Sequence, residues 1–595
     1  MKFKAVSLLV SFALAAGMAQ AAAPKDGTYT ARVLGHNAPI NVIVTISKGK
    51  IADINVTHNL ESPGVGKVAI DLLSRDIVAK QSVALDKVSG ATLTSFALMQ
   101  GVRKCLVQAG ADMSQFTKKA PKKVSKIAAK SRTEVVIVGG GGAGLVAAVS
   151  ALQNGAKVTI IEKLGFVGGS TNVCGGAFNA SDTSYQKALG IEDNPQKHFE
   201  QTMKGGHNTN DPALVHYLAD HAKETLQWMI DMGLVVNPKV GAATGALYQR
   251  SHYPNPAGGN TYIRTLQHKL GMYGPDRLKI MLETKATDLI VKNGAVVGVK
   301  AMGKNGPVEV TATKGVIIAT GGFGSNVKFR QKVNTGIWKE AKLDERIGCS
   351  NISVAAQGDG LIMAEKAGAE LIGLADIQVH PNGTPGTGLM LDIKTSGRNR
   401  LFINTNGDRF VNEGAARDVL SKAVFAQPGQ TYWLVQNHLR YPDENAIDLL
   451  SGRTMHDMLE QGRVKKAKDL EELSKMTGMP LDHLKASIEE YNRAARHEVQ
   501  ADKFGFRATH TDDRPMTEGP WYFAKKVPTI HHTMGGIRID TNAHVLNAKG
   551  QWIKGLYAAG ETTGGVHGEN RLGGNAVADL MVFGRTAGRN AASAK

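Results

Sequence analysis

The chain has 595 residues, room for several folding units with sizeable cores. Hydrophobic residues make up 42% and charged residues 21%, a balance that excludes disorder over most of the length. Three cysteines without a Cys-x-x-Cys pair exclude a disulfide scaffold, a four-thiolate metal site and an attached c-type haem, while a net charge of +19 favours acidic redox partners or anionic ligands.

Lys2 and Lys4 precede an apolar run from Ala5 to about Ala16, and Ala19-Gln20-Ala21 offers a small-residue cleavage site. Residues 1–21 read as a secretory signal, and the mature chain is expected in the periplasm. The run is shorter than the ~20 residues of a membrane span, so no integral membrane protein is expected. Nor is nucleic acid expected as a partner of an exported chain.

In residues 25–112, Val42, Val44 and Ile46 alternate with polar neighbours, Lys48-Gly49-Lys50 makes a turn, and Ile54 and Val56 resume the alternation. Two stretches of helical spacing follow, which gives a small α+β domain. Seven lysines and arginines without apolar periodicity between 113 and 132 read as a flexible basic linker. Alternating strands and helices then run through residues 133–374 and return over 533–595. The helical pattern inside 375–532 reads as an inserted α+β lobe capping this α/β core.

The segment from Thr133 to Lys163 has a buried strand at Val135 to Val138, Gly139, Gly141 and Gly144 opening a helix, and a second strand ending at Glu162. Gly139 permits a tight turn, Gly141 lets backbone approach a pyrophosphate, and Gly144 lets helix and strand pack closely. The helix N-terminus with Ala143 offers N–H donors to phosphate, and Glu162 with Lys163 faces the adenosine ribose. Further glycine-rich pieces recur where an extended flavin dinucleotide needs them. They are Gly168, Gly169, Ser170 and Thr171 with Gly175 and Gly176, then Thr320, Gly321 and Gly322, then Gly560 and Glu561, and last Asn575 and Ala576.

In this order the pieces resemble the two-domain FAD flavoproteins of the succinate dehydrogenase and fumarate reductase superfamily, from Thr133 to the end. The resemblance implies a Rossmann-like FAD-binding domain with non-covalent FAD. Asp86 to Ser95, DKVSGATLTS, read from its residues alone, is a capped helix start. It also resembles the attachment motif of FMN-binding domains, and Glu61 to Gly66 resembles their flavin-facing segment. That likeness implies covalent FMN, a phosphoester on Thr94.

Four further pieces carry Gln378 and His380, Arg417, His531, and Arg571. Arginine suits carboxylate recognition because its planar fork donates two parallel hydrogen bonds and stays charged. From the residues alone, Arg417 could equally pair with Glu413 or Asp418, and His531 or His532 could cap a turn. The pieces resemble the periplasmic fumarate reductases of the flavocytochrome c type and the urocanate reductases. The resemblance implies an oxidoreductase that reduces the C=C bond of an unsaturated carboxylate. In it Arg571 and His531 hold the carboxylate, hydride comes from FAD N5, Arg417 protonates the α-carbon, and His380 lies at the substrate's far end.

The sequence departs from that pattern where the fumarate enzyme's threonine, relay glutamate and relay arginine are replaced by Asp392, Ile393 and Ser396. Asp392, Lys394 or Arg398 are the available substitutes in the proton route. Small residues Ala242, Ala243 and Thr244, with Tyr248 nearby, suggest a roomier pocket. Its added carboxylate, Asp392, is expected to repel a second substrate carboxylate, which leans toward an enoate bulkier than fumarate, such as urocanate. Cys174 reads as a buried small hydrophobe and His567 as packing support. With no haem motif, the FMN domain takes the electron-entry role, fed by a membrane quinol dehydrogenase or a periplasmic cytochrome c. A single dinucleotide fingerprint argues against NADH. The alternatives are a flavin dehydrogenase of the ketosteroid desaturase type and a two-flavin electron carrier without its own substrate.

Overall fold

The computed structural model describes residues 23–119, 124–243, 248–390, 392–395, 397–448 and 453–594. The signal segment 1–21, Thr244 and Ser396 lie outside them.

The N-terminal unit is a three-stranded antiparallel sheet, Gly27–Leu34, Pro39–Ser47 and Lys50–Thr57, with two helices, Gly66–Lys80 and Thr92–Gln108, on its apolar face. The alternation at Val42, Val44 and Ile46 puts all three inside. Lys48 and Gly49 both take positive φ (52° and 69°), which twists the hairpin turn to match its strands. The Thr92 helix has no side-chain cap. Ser95 instead ties the preceding turn down, its Oγ accepting from Val88 N at 3.1 Å and donating to Ala91 O at 2.8 Å. This frees Thr94 to face Glu61, to whose carboxylate its hydroxyl donates.

The described parts of the basic stretch, on either side of residues 120–123, include regular structure in place of the expected flexible linker. Met113–Gln115 is a turn of 3-10 helix, and from Ala129 the chain is already strand, with Ala129 to Arg132 paired in register with Val308 to Thr311. The side chains of Lys130 and Arg132 point to solvent while their backbone joins the sheet, so no apolar periodicity marks the strand.

That strand, Ala129–Val138, lies in an eight-stranded sheet. Its parallel part runs Trp552–Ala558, Gly306–Ile318, Ala129–Val138, Val158–Ile161, Leu278–Met281, and the antiparallel strands Ala295–Gly303 and Lys285–Lys292 extend one edge. The helix Gly142–Gln153 is buried along almost its whole length and packs against the C-terminal helix Asn575–Ser593, which closes the core.

The lobe is built on one 13-residue strand, Trp521–Thr533. Its first half pairs with Tyr432–Asn437 and Lys465–Ala467, its second half with Ile377–Gly383 and Gly348–Cys349. One continuous element therefore runs from the lobe's core to the edge of the FAD-type domain. No helix among the described residues is long and apolar enough to cross a membrane.

Candidate active site

At the C-terminal ends of the parallel strands lies a cleft of about 870 Å³, part of it open to solvent. Its wall includes Gly141, Ala143, Glu162, Lys163, Gly169, Ser170, Thr171, Thr320, Gly321, Gly322 and Glu561. A Cβ on Gly141 would meet no atom within 4 Å, so that backbone faces open space a dinucleotide can approach. A Cβ on Gly144 would lie 1.9 Å from the Gly139 carbonyl, so Gly144 serves the turn beneath and not the wall. Glu162 accepts from Gly140 N at 2.6 Å and Leu164 N at 2.7 Å, and each carboxylate oxygen keeps a lone pair for a ribose hydroxyl. These residues fit FAD.

Gly168, Gly175, Gly176, Gly560, Asn575 and Ala576, expected to bind cofactor, are not part of this wall. The Asn575 amide is taken up by Asn179, His198 and Thr202 in a buried network. The sequence reading missed Asp359 and Lys285, which join Lys163 in an ion-paired cluster at the wall.

Glu561, in the wall of the FAD cavity, accepts from Thr533 N at 3.1 Å, two residues past His531, and feels the charge of Arg571. Two guanidinium groups, Arg417 from the lobe helix Arg417–Phe425 and Arg571 from the loop before the C-terminal helix, converge on one acceptor. Gln378 Oε1 takes Arg417 Nη1 at 2.9 Å and Arg571 Nη2 at 2.9 Å. The amide end of Gln378 is held by the Arg571 carbonyl at 2.9 Å and Asn570 at 3.2 Å. Both arginines are 5% exposed, and the Nε of each is buried without a partner among the described residues. Among the described residues Arg417 pairs with neither Glu413, which is taken by Arg409, nor Asp418, whose Oδ1 is buried without a partner.

Burial, and then the Arg571 cation, pushes the Arg417 guanidinium well below its ordinary proton affinity. Burial lowers Arg571 to about 10, with Glu561 and Asp579 opposing the fall. Tyr253 stands close enough to interact with Arg417, its neutral phenol pushed up to about 12 by burial.

His531 is the extra residue of a β-bulge, since Gln378 pairs with His532 while Val379 already pairs with Ile530. The bulge turns its ring onto His380, centroids 5.1 Å apart, and Ser350 Oγ meets Nδ1 at 2.8 Å. Burial holds both imidazoles well below their ordinary pKa, so both are neutral. His567 bonds Asp579 at 3.1 Å and acts as support behind Arg571. Cys174 is a mostly buried free thiol whose pKa burial raises.

The far end departs from expectation in three respects. Asp392 is not a lone carboxylate: it pairs with Lys526, the two side chains being 1% and 0% exposed, and accepts from Thr384 at 3.1 Å. With half-buried Lys394 also nearby, its pKa lowered to about 8 by desolvation and the Lys526 charge, the region carries no net negative charge to repel a second carboxylate. Arg398 pairs with Asp513 at 2.6 Å, and Tyr248 is turned outward to Glu192 O at 2.8 Å, so neither serves the site. Among the described residues no carboxylate pairs with Arg417.

The FAD binding domain model matches residues 134–577, about three quarters of the chain. The chain belongs to this FAD-binding family. The FMN-binding domain model matches residues 35–107, and the cofactors are FAD and FMN. Urocanate reductase of Eggerthella lenta is 36% identical over 97% of this chain and 94% of its own length. NADH:acrylate oxidoreductase of Vibrio harveyi is 34% identical over 95% of this chain, which spans only 61% of that relative. Among solved structures, the open conformation of a flavocytochrome c3 fumarate reductase matches with TM-score 0.64 and 34% identity over 78% of each chain.

Proposed function

We propose that the chain reduces the C=C bond of an α,β-unsaturated carboxylate, in the periplasm and as part of a respiratory chain. The observation that carries this reading is the single acceptor oxygen held between Arg417 and Arg571 at 2.9 Å each. The two guanidinium groups thus reach one point, where Arg571 can take a substrate carboxylate oxygen while Arg417 stays beside the α-carbon, and each keeps a buried Nε donor to spare. The names of the relatives, which cover urocanate, acrylate and fumarate, support the same substrate class.

FAD, when bound, supplies a hydride equivalent to the β-carbon. Arg571 and His531 grip the carboxylate and stabilise the negative charge that develops there as the double bond is attacked. Arg417 delivers the proton to the α-carbon. A free guanidinium is a very poor acid, but burial and the adjacent Arg571 charge loosen its proton, and both effects are strongest when water is excluded. His380 and the neutralised Asp392–Lys526 pair face the far end and leave it open to a carboxylate or a ring. Thr94 would carry the FMN, which would supply an entry point for electrons from a quinol dehydrogenase or a cytochrome c.

A neutral ketosteroid would leave both arginines without an anion, which disfavours the desaturase alternative. The test is Arg417→Ala, which should cut turnover with enoate by about 10²–10⁴-fold while both flavins stay bound. Turnover within a few-fold of the parent protein would end this reading and favour the two-flavin carrier.

A further inference from the structure

Among the described residues, contacts between the FMN unit and the lobe include a short turn. Glu460, the last residue of the helix Met455–Glu460, pairs with His58 and, at 3.5 Å, with Arg32. Arg463 Nη2 donates to the His36 carbonyl at 3.2 Å. Between these anchors stand polar groups with no bond to make. Oε1 and Nε2 of Gln461 and Nη1 of Arg463 are buried without a hydrogen-bond partner among the described residues. Buried polar atoms are nearly always satisfied, so a turn that aims two donor groups and an acceptor inward is set for a polar ligand.

The groups on the FMN side of this contact show which ligand. Glu61 is buried, with Oε1 taken by Asn37 N at 2.8 Å and Oε2 by the Thr94 hydroxyl. The charge of Glu61 reaches both Arg463 and Arg453, as does that of Asp392 in the substrate pocket. Esterification of Thr94 would replace a neutral hydroxyl with a phosphodiester carrying one negative charge beside the Glu61 carboxylate. Two buried anions in contact need cations, and two guanidinium groups stand across the contact.

We infer that the lobe turn at Gln461 and Arg463 is the second half of the FMN site. Arg463 Nη1 takes a phosphodiester oxygen, and the Gln461 carboxamide takes hydroxyls of the ribityl chain. The inference rests on FMN being carried by Thr94. Its consequence is that the cofactor fastens the FMN unit to the lobe beside the far end of the substrate pocket.

The experiment compares the flavinylated full-length protein with its Thr94→Ala variant, by intact mass and by amide hydrogen exchange. The amides of residues 460–464 should exchange about tenfold more slowly in the flavinylated protein. Arg463→Met and Gln461→Leu should keep the FMN mass and lose that protection, and Arg463→Lys should restore part of it. Equal exchange in the flavinylated and Thr94→Ala chains, or protection unchanged in both lobe variants, would overturn the inference while leaving attachment intact. If the mass shows no flavin on Thr94, the attachment reading itself fails and the inference falls with it.

Discussion

Gln378 occupies the place between Arg417 and Arg571 with a neutral oxygen, which binds two cations without neutralising them. Gln378→Glu would put a tethered carboxylate there. It should raise the melting temperature, because two buried cations gain an anion, and raise the KM for enoates by about tenfold or more through competition. Steady-state kinetics and a thermal melt check both. The buried pair at the far end behaves in the opposite way. Lys526→Met strands Asp392 and should cost about 3–5 kcal/mol in urea unfolding, most of it recovered in the Lys526→Met, Asp392→Asn double variant. Arg417, Arg571, His380 and His531 stood out in the sequence through the resemblance to the fumarate and urocanate reductases, since from the residues alone Arg417 could equally have paired with Glu413 or Asp418 and His531 could have capped a turn. Lys526 did not. Nothing in WYFAKKVPTIHH separates exposed Lys525 from Lys526, whose burial comes only from pairing with strands far away in the chain.

The strand Trp521–Thr533 shows how an element positions chemistry, because its bulge at His531 turns one ring toward His380 while its inner half buries Lys526. The glycine turn before the helix Gly142–Gln153 separates fold from binding. Gly144→Ala should fail to fold, since its Cβ would collide with the Gly139 carbonyl. Gly141→Ala should fold as the apoprotein and lose about tenfold or more in FAD affinity, because its methyl enters the cavity. Circular dichroism with a flavin titration distinguishes the two. The strand-turn-helix-strand pattern was legible because every part is local. The start of the strand Ala129–Val138 was hidden because charged, outward-facing side chains carry no trace of a backbone paired to residues 308–311.

Over the whole molecule, ionisable groups buried at the junction of the domains tie stability to pH. Burial raises Glu561 from 4.5 to about 7, so between those values the folded apoprotein holds a proton the unfolded chain has released. Its contribution to stability is present below pH 4.5 and is lost as pH rises through 7. Glu561→Gln should remove that part of the slope, as urea unfolding at a series of pH values will show. The order of the domains was readable from composition and motifs. Their contacts were not, because Leu164 and Phe166 of the FAD-type domain complete the core of the FMN unit across a long gap in sequence.

The central claim is that two buried guanidinium groups select an unsaturated acid for reduction. The most direct test is to mix viologen-reduced holoenzyme with urocanate, fumarate and acrylate, and with the neutral amide of each, and to follow flavin reoxidation. At least one acid should reoxidise the flavin, its amide should be slower by about a hundredfold or more, and Arg571→Met should erase the difference. Reoxidation by the amides as fast as by the acids, or by none of the acids, would contradict the account.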